Sequence, residues 1–159
     1  MGSKIATKRL LKHAAIRTGL EGVALTRADR LWPLAAGRGR SFTLHHVRPA
    51  EARPHDPNAL LSVTPQFLDQ AIAAALESGL TPVALGDLPG LLADPADHRR
   101  FVCFTLDDGY RDNAEHAAPV FRKHGVPYTI FITRGFVERT RSLWWETTEE
   151  LTSKATALE

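Results

Sequence analysis

The sequence predicts an α/β protein built on a parallel sheet, and three observations lead there. Phe101-Val-Cys-Phe-Thr-Leu106 is an unbroken apolar or β-branched run, the length and make-up of a strand buried on both faces. Thr64-Pro65 opens a segment in which Phe67, Leu68, Ala71, Ile72, Ala75 and Leu76 recur at helical spacing. Short apolar runs and helical patterns then alternate along the chain, as they do where helices cover a parallel sheet.

In chain order, the first forty residues say least. Lys4, Lys8, Arg9, Lys12, His13 and Arg17 interleave with Ile5, Leu10, Leu11, Ala14, Ala15 and Ile16, a pattern for a basic amphipathic helix ending at Gly19. Such a helix could suit a membrane surface or nucleic acid, but the plainer and preferred reading is a solvated outer helix, with no nucleic-acid partner expected. Gly37-Arg-Gly-Arg40 reads as a flexible basic loop. Ser41–Val47 is the first strand, with Phe42 and Leu44 on one face and His45 and His46 at its C-terminal end. Pro49, Pro54 and Pro57 make 48–60 irregular.

Thr64 is a good N-cap, Pro65 suits the first helical position, and Gly79 ends the helix. Leu80–Leu85 reads as a short strand, Asp87–Leu92 as a brief helix and Asp94–Arg100 as a polar loop. After Phe101–Leu106, a helix covers about Asn113 to His124, with Pro119 inside it as a kink and Gly125 and Pro127 as stops. Tyr128–Ile132 is a fourth buried strand. Phe136, Val137, Trp144 and Trp145 fall in a stretch without a clear pattern, and 146–159 reads as polar helix.

The length of 159 residues fits one domain with a real core. No apolar run is long enough to span a bilayer. No apolar stretch of the kind a secretory signal needs follows the N-terminal basic residues, which points to the cytoplasm. Cys103 is the single cysteine, so no internal disulfide can form, and inside a strand it reads as a small buried side chain. A net charge of +2 singles out no partner.

The chemistry concentrates at Asp107-Asp108-Gly109. Alternation puts Cys103, Thr105 and Asp107 on one face of the strand, and Val102, Phe104 and Leu106 on the other. Gly109 lets the chain turn, which can bring both carboxylates to one spot at the strand's C-terminal end, where α/β proteins gather ligands. Adjacent carboxylates repel, so a cation, hydrogen bonds or solvent must offset them. A metal with one Asp as ligand and the other as proton acceptor would do so. A helix-capping Asp beside a surface Asp is the plainer alternative.

Thr105-Leu-Asp-Asp-Gly-Tyr110 resembles the first motif of the polysaccharide deacetylases, the NodB-homology family (carbohydrate esterase family 4), written Thr-Phe-Asp-Asp-Gly. The resemblance takes in Phe42–Val47, Leu61–Leu68 and the run from Asn113 through Gly125–Ile132 to Trp144-Trp145. The one motif change is Leu106 for Phe, on the face turned to the helices. The resemblance implies an irregular seven-stranded (β/α) barrel, of which about four strands are visible here, too few to close. An open arc would leave strand edges free for self-association.

It also implies hydrolysis of acetyl groups on an N- or O-acetylated polysaccharide or oligosaccharide. A divalent metal, zinc (or cobalt or manganese), would be bound by the second Asp and two histidines. By position Asp107 is the general base and Asp108 the metal ligand; His45, His46 and Tyr110 are candidate substrate contacts, while for His45 and His46 the favoured alternative is a hydrogen-bonded structural histidine. The two histidines come from a later His-Ser/Thr-x-x-His motif that this sequence does not contain. His116 and His124 are eight residues apart, roughly 12 Å along a helix, too far to share a metal. His13, His55 and His98 fall in surface segments. The expectation is therefore the N-terminal part of a longer deacetylase, weakly active or inactive and binding metal weakly. The alternative is a non-catalytic remnant that binds sugar or a partner. A phosphatase of the haloacid dehalogenase type also places carboxylates after a buried strand, but wants Asp-x-Asp, and here they are adjacent.

Overall fold

The computed structural model describes residues 2–26, 37–51 and 56–154. The chain divides into two compact units, Met1–Gly37 and Arg38–Glu159. In the first, helix α1 spans Gly2–Thr26 and runs straight through Gly19. A lone glycine weakens a helix by about 1 kcal/mol without ending it. The expected amphipathic face is absent among the described side chains. At 3.6 residues per turn, Ile16, Leu20 and Val23 fall on one side of α1 and Leu11 and Leu25 on the opposite side, and all five are exposed.

The second unit begins with strand β1, Gly39–Leu44, so Gly39 and Arg40 are strand residues and not loop. The predicted Ser41–Val47 strand breaks at His45, and His46–Val47 forms a separate short strand, β2. Strand β3 is Ser62–Val63, and helix α2 is Pro65–Glu77. The Thr64 side chain caps α2 by accepting from Phe67 N at 3.1 Å, as its sequence promised. Leu68, Ile72 and Ala75 turn inward, whereas Phe67 lies in the first turn beyond the sheet and is exposed. Strand β4 is Thr81–Pro82, helix α3 Leu88–Ala93 and strand β5 Phe101–Leu106.

The helix after β5 starts near Arg111, widens into a π turn over Asn113–Ala117, and continues as α4, Ala118–His124. Pro119 has no N–H to give, and the kink expected there takes the form of that wide turn. Gly125, at φ 63°, closes α4 in the left-handed conformation. Strand β6 is only Thr129–Ile130, helix α5 Arg134–Val137 and helix α6 Trp144–Lys154. Pro54, His55 and the last five residues of the predicted C-terminal helix lie outside the described residues.

Strand β5 is the axis of the sheet, and every pairing is parallel. β1 runs beside it over its whole length, Gly39↔Phe101 to Leu44↔Leu106. On its other side β4 pairs with its first residues and β6 with its last, Leu106↔Ile130. β2 and β3 form a separate two-stranded sheet. All six β5 residues are buried, and alternation splits them between two cores. Val102, Phe104 and Leu106 pack with Leu68, Ile72, Phe121 and Val126, under α2 and α4. Phe101 and Cys103 pack with Val83 and Leu91. Burial pushes the Cys103 thiol above its ordinary pKa, which leaves it a packing group.

The expected fourth strand, Tyr128–Ile132, is shorter and less buried than its sequence suggests. Thr129 and Ile130 are half-buried, and Phe131 and Ile132 are exposed. β6 meets β5 only at its end, where Phe131 N makes the last hydrogen bond, to Leu106 O at 2.8 Å. No helix of the described residues is long and apolar enough to cross a membrane.

Candidate functional site

The backbone amide of Asp107 donates to Leu44 O at 2.8 Å, the last rung between β5 and β1. The chain then turns sharply. Asp108 has φ 68° and Gly109 φ 65°, two successive left-handed residues. Glycine takes this conformation freely, and Asp is among the few other residues that tolerate it. A Cβ at Gly109 would stand 3.2 Å from Ile132 Cγ1, so the position is narrow as well as left-handed. The turn brings the Asp108 side chain back to the side of Asp107. Both carboxylates line one open cleft of about 430 Å³, together with His45, Leu61, Phe131, Thr133, Trp144 and Trp145.

His45 sits at the bend between β1 and β2, and its Nε2 lies 3.9 Å from Asp107 Oδ2. Its backbone carbonyl accepts from Asn113 Nδ2 at 2.8 Å, which ties the bend to the helix after the turn. The cleft thus has a polar floor of one imidazole and two carboxylates. Its walls are aromatic, with Trp144 67% and Phe131 49% exposed. An apolar cleft with few convergent polar groups is the usual form of a small-molecule or oligosaccharide site.

His46 and Tyr110, the other two candidate substrate contacts, do not line the cleft. The His46 ring is buried. It donates from Nδ1 to Asp112 Oδ2 at 2.6 Å and from Nε2 to Glu146 Oε1 at 3.0 Å. Two acceptor-only partners suit the imidazolium, which donates from both nitrogens. Burial pulls the His46 pKa down, but hydrogen bonds to Asp112 and Glu146 and the charge of Asp112 outweigh it, so it lies above the ordinary 6.5. The Tyr110 ring lies against His46 with centroids 3.6 Å apart, and its hydroxyl accepts from Trp145 Nε1 at 2.8 Å. Burial, with help from the nearby carboxylates, pushes the Tyr110 phenol up to about 12, so it keeps its proton at neutral pH.

Phe131, from the end of the predicted strand Tyr128–Ile132, joins the cleft with Thr133 and with Trp144 and Trp145, whose stretch gave no clear pattern. Asp112, Asn113 and Glu146 support it from behind. The Trp144-Trp145 doublet was a usable signal, since two adjacent tryptophans in a polar stretch call for a partner. Glu146 gave none.

Among the described residues, no three His, Cys, Asp or Glu side chains stand close enough to hold a metal ion together. Asp107, Asp108 and His45 meet in one cleft, yet the second imidazole that a deacetylase metal would take is missing from the set. The donors present do not fit a complete centre.

A polysaccharide deacetylase family model matches residues 94–156. No curated protein matches the chain. Among solved structures it is similar to a de-N-acetylase from Aggregatibacter actinomycetemcomitans, with a TM-score of 0.49 and 14% identity over 59% of this chain and 37% of that one. It is also similar to a Streptococcus pyogenes deacetylase solved in complex with acetate, with a TM-score of 0.48 and 18% identity over 71% of this chain and 51% of that one. The chain thus spans between about a third and a half of these proteins' length. The stretch that the polysaccharide deacetylase model matches, residues 94–156, is the one that holds β5, both carboxylates and the aromatic wall, and this supports a polysaccharide deacetylase domain.

Proposed function

We propose that the cleft binds an N- or O-acetylated carbohydrate and that its carboxylates serve hydrolysis of the acetyl group. The observation that carries this is the meeting of Asp107, Asp108 and His45 on one floor beneath exposed aromatic walls. A sugar ring has an apolar face, and the exposed indole of Trp144 offers it a matching surface. The acetyl group then points to the floor. Asp107 takes a proton from water as its oxygen adds to the acetyl carbon, and the bond from that carbon to nitrogen or oxygen breaks. The proton returns to the leaving amine or alcohol, and acetate departs. His45, 3.9 Å from Asp107, is placed to meet the developing negative charge.

Family resemblance assigns a divalent metal, zinc (or cobalt or manganese), with Asp108 as one ligand. The described donors do not complete its shell, so no step is routed through it. Weak metal binding and slow turnover follow for this chain, together with an incomplete arc of the deacetylase barrel. The same incompleteness favours a second reading, a module that binds acetylated sugar without cleaving it.

Two measurements separate these. Incubation with chitooligosaccharide and with an acetate ester, with and without added zinc, should release acetate slowly, and Asp107→Asn should abolish it. Calorimetry with zinc should show weak binding. Sugar binding with no acetate under any condition would leave the binding module. Neither binding nor acetate would overturn both readings, and tight zinc binding by this chain would contradict the account of its donors.

A further inference from the structure

Behind the aromatic wall, three segments far apart in sequence meet on one imidazole. His46, on β2, holds Asp112 from the start of the helix after β5 and Glu146 from α6. Asp112 is itself fixed, because its Oδ1 accepts from Val47 N at 3.2 Å and Asn113 Nδ2 at 3.1 Å. Glu146 directly follows Trp145, whose Nε1 donates to Tyr110, and Tyr110 packs its ring on His46. The contacts close a circuit: His46, Glu146, Trp145, Tyr110 and back to His46. From α6, only Trp144 and Trp145 reach the cleft, while the circuit's other members stand outside it.

We propose that His46 is a positioning residue, the clasp that sets the aromatic wall of the cleft against its carboxylate floor. α6 carries a second attachment besides this one. Among its described residues only Glu149 is buried, with Asn58 donating to Glu149 Oε2 at 2.7 Å and to Trp145 O at 3.2 Å. Leu151 is exposed. The Glu146 arm, together with the Asn58 contacts, sets the rotation of α6, and with it the height of Trp144 and Trp145 above Asp107 and Asp108. His46 touches no reacting atom. It acts through Glu146 and Tyr110. The inference rests on the deacetylase reading for the wall's use in holding sugar, and on geometry alone for the coupling.

The test uses the full chain with Trp32 and Trp144 replaced by Phe, so that Trp145 is the single fluorophore. Glu146 is the residue to change first, because its side chain is 33% exposed, against 16% for Asp112. Glu146→Ala should raise acrylamide quenching of Trp145 about threefold. Glu146→Gln, whose amide oxygen still accepts from His46 Nε2, should restore most of the protection. Glu150→Ala, on the same helix but paired only with Lys154, should change nothing. His46→Gln should match Glu146→Ala, and the double variant should add nothing further. With native tryptophans, Glu146→Ala should raise the KM for acetate release from chitooligosaccharide several-fold and leave kcat within twofold. Unchanged quenching in Glu146→Ala, or an equal change in Glu150→Ala, overturns the coupling. If the unmodified chain neither binds chitooligosaccharide nor releases acetate, the functional reading fails, while the quenching series still decides the clasp.

Discussion

His45 and His46 are neighbours in the chain and opposites in the structure. His45 faces an open cleft, 3.9 Å from a carboxylate and half-exposed. His46 is sealed behind it, gripped by two carboxylates at 2.6 and 3.0 Å. One bend in the backbone separates the two, because side chains on successive extended residues diverge. The contrast shows how one protein keeps two histidine–carboxylate groups for different ends. The open group has room for a substrate and loose geometry. The closed group has no room and tight geometry, and its product is a fixed wall. Changes to the closed group should cost stability first, and changes to the open group should cost function alone.

The largest effect should come from Asp112→Ala. It strips a buried imidazolium of its shorter hydrogen bond and leaves Val47 N without its acceptor. His46 and Asp112 side chains are 5% and 16% exposed, so water cannot replace what is lost. The expected cost is about 3 kcal/mol, read as a fall in the urea midpoint at unchanged slope. A loss under about 1 kcal/mol would mean that the two groups differ less than their burial says.

The closed group should also mark itself by pH. His46 is held above its ordinary pKa in the fold, chiefly by Asp112 and Glu146 acting against burial, with Arg48 opposing them. A raised folded pKa gives stability that is complete below the unfolded value near 6.5 and fades as pH rises through the folded value. The stability gap between the native chain and His46→Gln should therefore be widest in mild acid and narrow toward alkaline pH. Denaturant titrations at several pH values would show it. A gap that widens with pH would reverse the assignment of a charged His46.

The wall between the groups gives an intermediate effect. Trp144 is largely exposed, so Trp144→Ala should change stability by less than about 0.5 kcal/mol. It should weaken chitooligosaccharide binding on the order of tenfold, equivalent to ~1.4 kcal/mol. Equal affinity in the variant would remove Trp144 from the sugar site.

Much of this contrast was out of reach of the sequence, and the reason is distance along the chain. The buried strand Phe101–Leu106, the capped helix after Thr64 and the turn at Gly109 all announce themselves within a few residues. So did the two faces of β5, which split their side chains between two cores as alternation requires. Adjacent carboxylates beside a glycine were legible as a site because a local turn suffices to gather them. His46 could be read as a hydrogen-bonded structural histidine but not as a clasp, because its partners lie 66 and 100 residues away. Trp144 could be seen but not placed, since the helix that carries it is set by Glu146 and Asn58 and not by an apolar stripe. The short, half-exposed β6 was overread for a related reason: an apolar run signals burial only where another element arrives to cover it.

The smallest expected effect is also the sharpest discriminator. Asp107→Asn removes a charge from the pair at the end of β5 and leaves the backbone bond from Asp107 N to Leu44 O in place. The side chain is 36% exposed, and no buried partner depends on it. Its removal relieves repulsion from Asp108 and gives up a loose contact to His45, two opposing changes that solvent screens. Stability should therefore move by less than about 0.5 kcal/mol in either direction, while acetate release disappears. Asp112→Asn gives the converse, a clear loss of stability with residual activity in the fraction that stays folded. If Asp107→Asn were the more destabilising of the two, the carboxylate in the cleft would be a structural group, and the division of labour between the two histidine–carboxylate groups would have to be redrawn.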